Sequence, residues 1–219
     1  METIKPKKTL TEETYDILVN AICSGELPPG ERLNQDEIAA KLNVSRQPVN
    51  SAISILKTNG LVADTGRRGV IVASLDTSLF KSIFEYRRVV EPFAVRLAGK
   101  RLPGNARAEA DRILRLGEKA VVSGDVRALV DADMQFHQAI YGWSRNDVIV
   151  SSMQVNWHHI RRAMAQVLRD PPSQRQSWDD HARIVDALCM SEQDLAASIM
   201  EQHIVRAYEK MAKDFSDVS

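Results

Sequence analysis

Four residues of this 219-residue chain stand where apolar side chains belong. Read as a helix, residues 126–141 put Asp133 and His137 on one face with Val130 and Ile140. His181 falls on the face of Trp178, Val185 and Leu188, and His203 on that of Ala196, Ile199 and Ala207. Burying an imidazole or a carboxylate unpaired costs on the order of several kcal/mol, so each of these groups needs a partner. An Asp-x3-His pair spans one helical turn and can chelate a single ion. Two further histidines would complete a set suited to zinc, nickel or manganese. Separate core histidines, each hydrogen-bonded to something ordinary, satisfy the same pattern, and spacing alone leaves both readings open.

A second chemistry lies in residues 30–72. Ile38, Ala39 and Leu42 line one face of a short helix that breaks at Asn43-Val44. Ser45 is placed to cap a second helix, with Pro48 in its first turn, where a missing N–H costs little. Val49, Ala52, Ile53 and Leu56 recur at helical spacing and form the buried face. The other face carries Arg46, Gln47, Asn50, Ser51, Ser54 and Lys57, groups able to reach base edges or phosphates. Asn59-Gly60 ends the helix, since glycine accepts the left-handed conformation at that point. Two short apolar strands, Leu61-Val62-Ala63 and Val70-Ile71-Val72, then flank a glycine-rich tip bearing Arg67 and Arg68. A helix-turn-helix followed by such a hairpin is built to put its second helix into a major groove and a cationic wing beside it.

The remaining elements follow from the same patterns. Thr9-Leu10-Thr11-Glu12 forms a capping box for a first helix lined by Tyr15, Leu18 and Ile22, stopped by Gly25 and Pro28-Pro29-Gly30. Ala73-Ser74-Leu75-Asp76 marks a boundary, giving domains at 1–75 and 76–219, with a helix cap at Asp76 or Thr77. Beyond it every segment reads as helix. Leu79, Ile83, Tyr86, Val90, Phe93 and Leu97 mark the buried face of a long first one. Five more are expected at about 106–122, 126–141, 147–168, 174–189 and 192–215. Six helices with short connections predict an antiparallel bundle. The fold class is mainly α: an N-terminal winged helix-turn-helix and a C-terminal all-helical antiparallel bundle.

Pro29-Gly30-Glu31-Arg32-Leu33, Ile38-Ala39, Val44-Ser45-Arg46-Gln47-Pro48-Val49 and Gly60-Leu61-Val62 together resemble the winged-helix domain of GntR-type transcription regulators. The helical part resembles the metal-binding ligand domain of the FadR-like subgroup, called FCD, and the two likenesses cover nearly the whole chain. The resemblance implies DNA contacts from Ser45, Arg46, Gln47, Asn50, Lys57, Arg67 and Arg68. It also selects among the readings of the polar core: members carry Asp-x3-His on one helix and one histidine on each of two later helices. The matching residues here are Asp133, His137, His181 and His203, a divalent transition-metal set. Arg87, four residues before Glu91, matches an Arg-x3-Glu position from which an inward arginine faces the ligand. The alternative for that pair is a surface ion pair worth only tenths of a kcal/mol. Arg161 is a second effector-binding candidate. Many members carry arginine where this chain has Asp36 and Asn50, so an operator unlike the common family site is expected, with adenine opposite Asn50.

Composition bounds these readings. Hydrophobic residues make up 44% and charged residues 26%, ordinary for a globular protein. The formal net charge is zero, and residues 1–75 also balance, with nine cations and nine anions. DNA binding must therefore rest on local placement and on doubling by a homodimer. No apolar run approaches the roughly 20 residues that span a bilayer. The first five residues lack the apolar core of a signal peptide, and Cys23 and Cys189 are solitary, so a cytoplasmic location is expected. The expected function is transcription regulation, in the repressing sense, by a homodimer on a double-stranded operator. A small organic acid held at the metal would control it. Two alternatives are a metal-dependent hydrolase or lyase with an accessory DNA-binding domain, and a metal-responsive regulator without organic ligand.

Overall fold

A computed structural model describes residues 8–66 and 69–216. The chain divides between Leu75 and Asp76 into two compact units.

The first unit opens with α1 (Leu10–Ser24), whose capping box forms: Glu12 N–H donates to Thr9 Oγ1 at 3.2 Å and Thr9 N–H donates to Glu12 Oε2 at 2.8 Å. Gly25, at φ 80°, ends it. α2 (Gln35–Leu42) is capped by the Asn34 side chain and closed by Asn43 at φ 52°. α3 (Arg46–Thr58) buries Val49, Ala52, Ile53 and Leu56 against Leu18, Val19 and Ile22 of α1. Ser45 occupies the N-cap position in extended conformation, but its side chain makes no capping bond, contrary to the expectation from sequence. β1 (Val62–Asp64) pairs antiparallel with β2 (Val70–Val72), Val62 opposite Val72. The hairpin gains a third segment that no strand pattern announces. Arg32 bridges Ile71, Leu33 N–H donates to the Val70 carbonyl at 2.8 Å, and Val72 N–H donates to that of Glu31 at 2.8 Å. The linker between α1 and α2 thus ties the wing to the helices.

The second unit is all helix among its described residues. α4 (Thr77–Arg101) starts at Asp76, whose carboxylate accepts from the backbone N–H groups of Ser78 and Leu79. α5 (Ala106–Ser123), α6 (Val126–Trp143), α7 (Asp147–Val155), α8 (Trp157–Val167), α9 (Pro171–Cys189) and α10 (Gln193–Ser216) follow. α4 packs chiefly along α10, α5 along α6, and α9 bridges α5 and α10.

Three sequence expectations are corrected. The single helix expected at 147–168 is two, because Asn156 takes φ −96°, ψ 3° and interrupts the ladder. Pro171 and Pro172 do not merely end the preceding helix but occupy the first turn of α9, where their fixed φ suits and no N–H is required. α4 is rotated about its axis: it buries Phe80, Ile83, Phe84, Arg87, Glu91, Ala94, Val95 and Ala98, while Val89 is 73% and Phe93 51% exposed. Two charged residues that compensate each other take the core positions that a count of apolar residues assigns to Tyr86 and Phe93. Small Ala94 and Ala98 continue the same buried face.

Candidate metal centre and nucleic-acid interface

α6 carries Asp133 and His137 one turn apart, α9 carries His181, and α10 carries His203. Their inward faces meet. One ligand atom from each of the four lies within 4.8 Å of the others, and all four residues are buried. Asp133 Oδ1 is 3.6 Å from His181 Nε2 and 3.9 Å from His137 Nε2. None of these separations is a hydrogen bond. Both oxygens of Asp133, both nitrogens of His137 and His181, and Nε2 of His203 have no hydrogen-bond partner. A buried polar atom left unsatisfied costs about 1–3 kcal/mol. Four such residues converging on one point is the pattern of donors shaped around a cation, and the mixed imidazole and carboxylate set suits a divalent transition metal.

The surroundings prepare these groups for a ligand role. Burial, then the neighbouring His203 and His137, push the His181 imidazole well below its ordinary pKa, so the ring stays neutral with a free lone pair. Burial lowers His203 in the same direction. Phe136 stacks on His181 with ring centroids 3.8 Å apart, and the Trp178 ring meets its edge at 4.9 Å. Trp178 is itself fixed by donating Nε1–H to the Leu114 carbonyl at 2.8 Å. It lies across Gly117 of α5, where an added Cβ would fall 1.6 Å from its ring.

α4 adds a charged wall. Arg87 Nε donates to Glu91 Oε1 at 2.5 Å, with the two side chains 1% and 0% exposed, so the pair is buried and not the surface ion pair that sequence allows. Glu91 Oε2 sits 2.8 Å from His137 Nδ1, out of line for a hydrogen bond. Burial pushes the Glu91 carboxyl up, but Arg87 and His137 outweigh it and hold the group well below the usual carboxylate range. Arg87 Nη1, Glu91 Oε2 and Tyr141 Oη lack hydrogen-bond partners. Arg161 Nη2 pairs with Asp131 Oδ1 of α6 at 2.6 Å. Asp180 and Tyr141 are the neighbours of the cluster that sequence reasoning passed over, and Glu91 figures in it only as the partner of Arg87. Tyr141 stands four residues after His137 on the same helical face, a signal that was available. Asp180 has no such signal, since its role depends on α10 packing beside α9.

In the first unit, Ser45, Arg46, Gln47 and Asn50 are exposed at the start of α3. Arg46 Nε pairs with Asp36 Oδ1 at 2.9 Å, both largely exposed, which leaves the outer guanidinium nitrogens free of that contact. Lys57, at the far end of the helix, pairs with Asp64 of β1 at 2.6 Å. Arg67 and Arg68 lie outside the described residues.

Residues 10–72 match the family of bacterial regulatory proteins named gntR, and residues 82–206 match the FCD domain. The Nta operon transcriptional regulator of Aminobacter aminovorans is 30% identical over 84% of this chain and 85% of its own length. The chain belongs to the GntR family. A relative named as a probable D-xylose utilization operon transcriptional repressor, from Paenarthrobacter nicotinovorans, is 26% identical over 90% of this chain and 87% of its own. Among solved structures, a GntR transcriptional regulator from Rhodococcus sp. RHA1 superposes with a TM-score of 0.80 at 25% identity, covering 93% of this chain and 97% of that one. E. coli McbR/YncC shares the fold, with a TM-score of 0.78 at 22% identity, covering 93% and 99%. As a GntR regulator of FCD type the chain is a DNA-binding transcriptional regulator, and the hydrolase or lyase alternative falls, because family and relatives are regulators and not enzymes. No helix among the described residues is long and apolar enough to cross a membrane.

Proposed function

We propose that this GntR regulator is a repressor whose operator affinity is set by a small carboxylate bound beside a divalent metal in the helical unit. One observation carries the reading: four ligand atoms, one each from Asp133, His137, His181 and His203, converge within 4.8 Å of one another in the core, and Nη1 of the buried Arg87 has no hydrogen-bond partner. Asp133, His137, His181 and His203 would hold the ion. When bound it supplies positive charge that attracts a carboxylate oxygen. Arg87 offers the second anchor, since its Nη1 is buried, charged and unspent, and a guanidinium favours carboxylates. Tyr141 Oη is a further donor within the same wall. Arg87, Asp133 and the three histidines belong to α4, α6, α9 and α10, so ligand binding would tie four helices of the unit together.

The regulator acts as a homodimer on a two-fold related operator. Zero net charge gives a lone winged helix few phosphate contacts, and a second copy doubles them. Val89 and Phe93 form an exposed apolar stripe on α4, flanked by the Arg88–Glu201 and Arg96–Asp194 pairs. An apolar strip with a charged rim is the anatomy of an interface. The repressing sense follows the D-xylose utilization operon relative, whose name is that of a probable repressor.

The test is operator binding by metal-loaded protein, measured by fluorescence anisotropy on a site selected from random DNA. A panel of mono-, di- and tricarboxylic acids is titrated in. At least one acid should release the DNA, and the same acid should have no effect after chelation of the metal. If chelation alone releases the DNA and no acid does, the regulator responds to metal without organic ligand.

A further inference from the structure

Two of the four candidate ligands have a carboxylate behind them. Glu91 Oε2 lies 2.8 Å from His137 Nδ1, and Asp180 Oδ2 lies 3.6 Å from His203 Nδ1. Both acids are buried. Each is tied to an arginine: Glu91 to Arg87, Asp180 to Arg206. Asp180 is also held by Gln176, whose Nε2 donates to Oδ1 at 3.2 Å, and by Arg183 Nη1 at 3.6 Å. On the opposite side of each imidazole, Nε2 of His137 and of His203 has no hydrogen-bond partner.

We propose that Glu91 and Asp180 are positioning residues of the metal centre, each taking the Nδ1–H of one histidine so that its ring presents a bare Nε2 to the ion. This rests on the metal reading above. A neutral imidazole has one N–H and one lone pair, so only the tautomer protonated on Nδ1 leaves Nε2 free to ligate. A carboxylate facing Nδ1 selects that tautomer, fixes the ring and raises its basicity. The arginines complete the arrangement by fixing each carboxylate in place beside its ring. At 2.8 Å the His137 ring has only to turn in place for its bond to Glu91 to form, whereas His203 and Asp180, 3.6 Å apart, must also close by several tenths of an ångström. His181 works differently. Both its nitrogens lack partners, and Phe136 and Trp178 set its orientation by packing.

The two acids sit in unlike surroundings. Glu91 is sealed in the core, whereas Asp180 and His203 line a cavity of about 250 Å³ with Ser173, Gln176 and Arg206. Glu91→Gln strands Arg87 in the interior, so Asp180→Asn is the variant expected to fold.

Side-chain nitrogen-15 NMR on the metal-free full-length chain reads the tautomers directly. His137 and His203 should both carry the proton on Nδ1 in the wild type. Asp180→Asn should shift His203 alone, leave the melting temperature of the metal-free protein in place, and weaken zinc binding about 10–100-fold in competition with a chelator. Glu91→Gln, where it folds, should do the same to His137. Wild-type His137 or His203 protonated on Nε2 overturns the proposal, as does Asp180→Asn with wild-type zinc affinity. A wild-type chain that takes up no zinc overturns the metal reading instead, and the tautomers, measured without metal, still decide what the carboxylates do.

Discussion

Arg87 and Glu91 of α4 form an ion pair whose side chains are 1% and 0% exposed, so each is the other's counter-charge in the core. Removing Arg87 therefore does more than remove the proposed effector anchor. Arg87→Ala would leave Glu91 buried without its counter-charge, a loss of about 3–5 kcal/mol. Arg87→Lys is the cleaner probe, because it keeps the charge and deletes the planar fork. The expected result is a folded protein with its metal retained and a weakened response to the effector, followed by anisotropy on operator DNA. Arg46 is the matching residue of the DNA unit. With Nε engaged by Asp36, its outer nitrogens are left to read a guanine edge. Arg46→Ala should cost roughly 1–3 kcal/mol of binding to the selected operator and much less on random DNA. Equal losses on both would make it a phosphate contact only. The types and spacing of Asp133, His137, His181 and His203 were legible in the sequence. Glu91 and Asp180 as their neighbours were not, because carboxylates on helices look solvated until the packing of other helices is known.

The helices were the most legible elements, since periodic apolar faces, capping residues and glycine stops mark them individually. Thr9, Asp76, Gly25 and Gly124 all stand at helix ends. What the sequence conceals is rotation and interruption. α4 turns its large apolar residues Val89 and Phe93 outward, and α7 parts from α8 at a single residue, Asn156. The third segment of the wing sheet was equally hidden, because Glu31–Leu33 pairs through backbone groups that any residue carries. Close approach of α5 and α9 depends on one glycine. Gly117→Ala would place its Cβ inside the Trp178 ring, so one element must shift. The expected cost is about 1–3 kcal/mol of stability by thermal or denaturant unfolding. Because Trp178 leans on His181, metal affinity should fall as well, although Gly117 touches no ligand directly.

The two units carry separable tasks, DNA contact in one and the buried polar centre in the other, and the chain boundary at Leu75–Asp76 was visible as a change of pattern. The proposed homodimer would join the tasks across two copies. Phe93→Asp should convert a dimer into a monomer by analytical ultracentrifugation and weaken operator binding sharply, with the metal content unchanged. A variant that remains dimeric would move the interface away from α4. The account as a whole depends on the ion. Calorimetric titration of zinc into metal-free full-length protein, paired with melting curves of the same samples, addresses it most directly. One zinc per chain, a raised melting temperature, and loss of both in His181→Ala are the predicted result. No uptake of zinc, nickel or manganese, with an unmoved melting temperature, would contradict it and leave the four residues as an unfilled polar network.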